Sequence, residues 1–151
     1  MALTDIKNFR ALGDRIGTSG MPTPQQVVEI AEEGYAIVVN LALPSHPEAV
    51  RDEGAIVALR GLTYVHIPVE FDRPLLSDFE TFRAVMNAHR DRRVFVHCAL
   101  NYRVSAFMYL YRLLEEAVPA EQARGDLEAL WHPDEVWSDF IEEVLEENGW
   151  L

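Results

Sequence analysis

Cys98 is the only cysteine in a chain of 151 residues, and its neighbours are of the kinds that make a thiol reactive. It follows the β-favouring run Arg93-Val-Phe-Val-His97 and precedes Ala99-Leu-Asn-Tyr-Arg103-Val-Ser105. From Arg103 onward apolar residues recur at helical spacing, with Phe107, Leu110, Leu113 and Leu114 on one stripe. A cysteine between a strand and a helix start lies among free backbone N–H groups, which favour a thiolate and bind a tetrahedral oxyanion. Arg103 adds a planar fork able to grip two oxygens of such an anion. A bare strand–cysteine–helix more often holds a small inert core thiol. His97 before the cysteine, with Arg103 and Ser105 after it, tips the reading toward chemistry.

The elements around this run alternate. Arg15–Thr18 reads as a short edge strand. Thr23-Pro24-x-Gln26 starts a helix, with Thr as cap, Pro in the first turn and Gln completing a capping box, and Gly34 stops it after about Glu33. Ala36–Leu41 is a near-continuous apolar run of the kind buried parallel strands show. A helix is expected between Pro47 and about Arg60, then a strand over Thr63–Val69 that Pro68 marks as an edge or an end. Ser77 opens a further helix, Asp78 to about His89. Arg93–His97 is the central strand, and helices over about Ala120–Trp131 and Asp134–Glu147 close the chain. This order predicts a single α/β domain over residues 1–151, with a mostly parallel sheet of four to five strands and helices on both faces. Ligands bind outside the carboxyl ends of such strands. Cys98 stands at one.

Composition narrows the function classes. The net charge is −12, from 13 basic and 25 acidic residues, which repels a nucleic-acid backbone and argues against such a partner. No segment approaches the roughly 20 uninterrupted apolar residues of a membrane helix, and the charged start lacks a signal peptide's apolar stretch. One cysteine forms no internal disulfide, and an exposed reactive thiol suits the reducing cytoplasm. The five histidines show no paired ligand spacing, no nucleotide-binding glycine motif is present, and no metal or cofactor is expected. Arg90, Arg92, Arg93 and Arg103 lie near the cysteine in sequence. Arg90 and Arg92 read as cations decorating a helix C-terminus. The Trp131–Trp137 segment suggests a helix cap with two core tryptophans, or else a partner surface or pocket wall. The chain says nothing of oligomeric state.

His97-Cys98 followed by Arg103 and Ser105 resembles the signature of the cysteine-dependent tyrosine and dual-specificity phosphatases, which reads His-Cys, five residues, Arg, then Ser or Thr. Ser19-Gly-Met-Pro-Thr-Pro24, a helix and Tyr35-Ala-Ile-Val-Val-Asn-Leu41 resemble the opening of compact bacterial phosphatases of the dual-specificity type. The resemblance implies a phosphotyrosine-phosphatase-like fold and a metal-independent hydrolysis of a phosphomonoester through a cysteinyl-phosphate at Cys98. It implies a phosphorylated protein or small molecule as substrate. Arg103 would hold the phosphoryl group within a loop formed by Ala99, Leu100, Asn101, Tyr102, Val104 and Ser105. His97 would orient the loop, and Ser105 would donate to the leaving thiolate. The general acid would be an Asp upstream of the signature strand. Asp72 is the choice over Glu70 and over Asp78, whose place in a first helical turn already explains its charge.

The loop departs from that signature at one point. Arg103 lies one place early, with four residues between it and Cys98, and Val104 occupies the arginine's usual position. One residue of displacement at a helix start rotates a side chain by about 100°. Asn101 replaces the mid-loop glycine, a tolerable substitute where φ is positive. Two other readings follow. The loop is compatible with an anion-binding module that has lost turnover, a pseudophosphatase. Its length also resembles that of rhodanese-type sulfurtransferases, whose cysteine carries a persulfide. If the shift had disabled the loop, Arg103→Gly with Val104→Arg would raise activity.

Overall fold

The computed structural model describes residues 2–150. Five strands, β1 (Arg10–Leu12), β2 (Ile16–Ser19), β3 (Ile37–Asn40), β4 (Thr63–His66) and β5 (Val94–His97), form one sheet in the order β1-β2-β5-β3-β4. All pairings are parallel except β1 with β2. β5 therefore runs down the middle of the sheet, as its uninterrupted apolar run demands. The short strand after Arg15 is not an edge. It is covered by β1, a three-residue strand that turns back through Gly13 at φ +78°. β4 is the opposite edge and stops before Pro68.

Period-two alternation sorts the strand residues between two cores. Val38 and Phe95 face α1 (Pro24–Glu32) and α2 (Glu53–Leu59), where Val27, Ile30 and Val57 are buried. Ile37, Val39, Val94 and Val96 face the larger core, built on α3 (Leu76–Ala88), α4 (Tyr102–Glu115), α5 (Ala120–Glu128) and α6 (Glu135–Glu147). Helices on both faces of a mostly parallel sheet make this a single α/β domain of the expected class. The Thr23/Gln26 capping box forms as its sequence specifies. α2 is shorter than the segment after Pro47 suggests, because residues 47–52 are spent on turns. α3 begins at Leu76, so Ser77 lies inside it and Asp78 caps the Leu75 N–H at 3.2 Å. Burial, opposed by that bond, raises the Asp78 carboxyl above its ordinary value. No described helix is long and apolar enough to cross a membrane.

Glu115 ties α3 to α4. It accepts from Arg83 Nε at 2.7 Å, Arg90 Nη2 at 2.5 Å and Asn87 Nδ2 at 3.4 Å. The Arg83 bond leads in holding its carboxyl below the usual range. A carboxylate with a depressed folded-state value adds stability above that range and loses it as pH falls through it. Glu115→Gln is therefore expected to cost about 1–2 kcal/mol near neutrality. The Tm gap to the parent chain should close as the solution is acidified. A gap independent of pH would show that packing, not charge, is what was lost.

Candidate active site

The loop after β5 is held from beneath by the chain leaving β2. Cys98 donates its N–H to Ser19 O at 3.3 Å, and Met21 donates to Ala99 O at 2.9 Å. Gly20 lies between them, where a Cβ would come within 2.5 Å of Ala99 O. Gly20→Ala must therefore push the loop outward. The expected cost is about 1–3 kcal/mol in stability, with reactivity at Cys98 changed as well. Equal alkylation rates for Gly20→Ala and the parent would show that the loop does not depend on this contact.

Asn101 adopts φ +67°, the left-handed conformation its place in the loop demands, and stands at the head of α4. Its amide turns inward, donating to Asn8 O at 2.9 Å and Thr18 Oγ1 at 3.0 Å, while Asn8 donates to Leu100 O at 2.9 Å. These bonds cross from the N-terminal segment to the loop and fix its curve. The first intrahelical bond of this turn runs from Ser105 N to Asn101 O at 3.0 Å. The N–H groups of Tyr102, Arg103 and Val104 are thereby left without a partner four residues back, which is the usual provision for an anion.

Cys98 is 1% exposed and lines a pocket of about 170 Å³. The walls are Phe71, Ala99, Leu100, Tyr102 and Arg103. Arg103 is only 7% exposed. It donates Nη1 to Val69 O at 2.8 Å, lies 5.9 Å from the Phe71 ring centre, and keeps a buried Nε without a hydrogen-bond partner. It borders a second, wider cavity of about 520 Å³ that contains Asp72, Leu43, Ser45 and His46. Arg103 and Phe71 thus line both the pocket that holds the thiol and the cavity that holds the carboxylate. Asp72 is exposed and has no side-chain partner among the described residues, whereas Glu70 is paired with Arg73 at 3.1 Å.

The other sequence-derived positions contribute backbone more than side chain. Val104 is fully buried in the larger core. Ser105 donates its hydroxyl to Tyr102 O at 3.0 Å and accepts from Trp131 Nε1 at 3.0 Å, so its proton is not directed at the sulfur. His97 is fully buried, with Nε2 2.5 Å from Glu53 Oε2 and Nδ1 3.3 Å from Cys98 O. Of the arginines near the cysteine in sequence, only Arg103 reaches the pocket. Arg93 packs over Tyr35 and donates to Glu33 O and Asp14 O at the amino end of β5, and Arg90 serves Glu115.

Sequence reasoning did not single out Glu53, Phe71 or Gly20. Phe71 joins Tyr102, Trp131 and Trp137 in an aromatic wall. Tyr102 stacks on Trp131 at 4.6 Å, and Trp137 donates its indole N–H to Phe71 O at 2.7 Å. The Trp131–Trp137 segment is both a cap, through Asp134, and the backing of the pocket. The position of Phe71 beside Asp72 was the available signal for its role.

A central parallel strand delivering a cysteine into a short loop at a helix start gives the chain a protein-tyrosine-phosphatase-like fold, which similar solved structures share. The DUF442 candidate phosphatase of Shewanella putrefaciens CN-32 is 34% identical, over 96% of this chain and 95% of that one, with a TM-score of 0.85. The chain belongs to this DUF442 family. TpbA of P. aeruginosa, solved in complex with pTyr, shares the fold at a TM-score of 0.72 and 16% identity, over 99% of this chain and 91% of that one. Among curated sequences, a beta-lactamase hydrolase-like protein of Xylella fastidiosa is 27% identical over 125 residues, or 80% of this chain. The chain spans only 28% of that protein's length. No family model matches the chain.

Proposed function

We propose that the chain is a metal-independent phosphomonoester hydrolase with Cys98 as nucleophile. The observation that carries this reading is the joint placement of three groups. Cys98 and Arg103, which has a free buried Nε, line one pocket at the start of α4, and Arg103 also lines the cavity of Asp72. The Cys98 thiolate attacks phosphorus, and the bond to the leaving oxygen breaks as Asp72 gives that oxygen its proton. Loop amides and Arg103 hold the charge on the transferring group. Water, giving a proton to Asp72, then displaces the thiolate and frees phosphate. Because a thiolate nucleophile persists in a reducing compartment, the cytoplasm is the proposed location. The substrate is a phosphorylated protein or small molecule, in keeping with the TpbA complex.

The test is turnover of p-nitrophenyl phosphate in the presence of a chelator, followed by Asp72→Asn. Loss of the general acid is expected to lower turnover of a poor leaving group such as an alkyl phosphate by about 10²–10⁴-fold. Unchanged alkyl phosphate turnover would remove Asp72 from the scheme.

A second reading is favoured by the apolar walls of the Cys98 pocket and by the four-residue interval to Arg103. Sulfane sulfur is less polar than phosphate and needs fewer donors. In that chemistry the Cys98 thiolate attacks the outer sulfur of thiosulfate, sulfite leaves, and a persulfide remains on Cys98. Transfer of that sulfur to cyanide without phosphate release would select it. Phosphate or vanadate binding with neither reaction would leave the pseudophosphatase.

A further inference from the structure

On the face of the sheet away from the large core, the carboxyl ends of three adjacent strands carry polar side chains at one level. His97 on β5, Asn40 on β3 and His66 on β4 are successive register partners. Glu53, 3% exposed, closes over this row from α2. One of its oxygens meets His97 Nε2. The nearest donor to the other is Asn40 Nδ2, at 3.5 Å, which also donates to Tyr64 Oη at 3.1 Å. Two residues earlier the same strand faces carry Val38, Phe95 and Tyr64, so the polar row is not a requirement of the sheet. Well-packed apolar side chains are often as stable as a buried charged pair, and such a pair is weak evidence of a stabilising role.

The row fronts a cavity of about 360 Å³, walled by Asn40, Glu53, Tyr64, His66 and the His46–Pro47 turn. It lies outside the carboxyl ends of β3 and β4, where sheets of this kind take ligands. Cys98 does not line it.

We infer that this cavity is a binding site for a small organic ammonium ion, held by Glu53 Oε1. The buried wall offers a carboxylate oxygen with only one long contact, and an ammonium donor completes it with a charge-assisted bond. An anion is disfavoured at the same place. The one guanidinium lining the cavity, Arg51, is exposed at its rim, while the carboxylate is deep. The Tyr64 ring forms a further wall, a surface to which a cation is attracted. Burial first, then the Glu53 charge, push the Tyr64 phenol up to about 12, so its hydroxyl stays neutral. The site does not depend on which reaction Cys98 performs.

The test is calorimetric titration of the whole chain with ethanolamine and putrescine, with ethylene glycol and acetate as neutral and anionic counterparts of similar size. Saturable one-to-one binding of an amine is expected, with the counterparts at least about tenfold weaker. Glu53→Gln, which keeps the shape and an acceptor for His97, should weaken amine binding by about tenfold or more. Ala49→Phe, which adds a ring at the cavity wall and leaves Glu53 in place, should abolish it, and it decides the matter if Glu53→Gln does not fold. Absence of binding by both amines, acetate binding as tightly, or unchanged affinity in Ala49→Phe would overturn the assignment.

Discussion

Cys98→Ser is expected to lower turnover of an aryl phosphate by about 10⁴-fold or more while leaving the fold intact. The substitution exchanges Sγ for a slightly smaller Oγ at a site with 1% exposure, at the end of a strand whose backbone bonds do not involve the side chain. A serine hydroxyl is a weak nucleophile near neutrality unless an adjacent base takes its proton. Among the described residues no base is placed to do so: His97 is turned toward Glu53 and the Cys98 carbonyl, and Asp72 lies in the neighbouring cavity. The first-turn amides and Arg103 are untouched, so phosphate or vanadate should bind Cys98→Ser about as well as the parent. Loss of both turnover and anion binding would mean that the substitution had collapsed the loop. Retained turnover would place the nucleophile elsewhere.

Moving the arginine to the family's usual position is expected to destroy the protein rather than improve it. Arg103→Gly with Val104→Arg places a guanidinium where Val104 is fully buried in the core beneath α4. Val104 packs among apolar side chains there, and an uncompensated buried charge costs about 3–5 kcal/mol. That is a large part of a small domain's whole stability. The glycine at 103 adds a further loss in the first turn of α4 and removes the bond to Val69 O. The expected results are a Tm lowered by well over 10 °C, or no folded protein at all, and no gain in turnover. A folded double variant with higher activity would show that Arg103 works poorly from where it stands.

The arginine shift illustrates what could and could not be read from the sequence. That Arg103 is one place early was plain from counting. Where a side chain rotated by that displacement would go depended on what surrounds it, and the answer lies in Val69 O and Phe71, more than 30 residues upstream. Asn101 was legible because a positive φ admits few residue types. The Thr23 cap, the order of the main strands and helices, and the place of Cys98 at the end of β5 followed from local patterns. β1 escaped because three residues carry no periodicity and become a strand only by pairing with β2. Glu53 escaped because nothing near it in sequence reports that α2 lays its first turn over His97. Ser105 kept the family's spacing, yet its hydroxyl is engaged by Tyr102 O and Trp131. Spacing fixes where a residue sits on a helix, and the neighbouring helix decides what it touches.

The central claim is that a phosphoryl group passes through Cys98, and the most direct measurement is to catch it there. The full chain would be mixed with p-nitrophenyl phosphate, quenched within the first turnovers under conditions that preserve a phosphorus–sulfur bond, and digested for peptide mass analysis. A phosphoryl group on the peptide containing Cys98, absent from Cys98→Ser and lost on a longer chase, is the expected result. Steady phosphate release with Cys98 never modified, or sulfane sulfur on Cys98 in place of phosphate, would contradict the account.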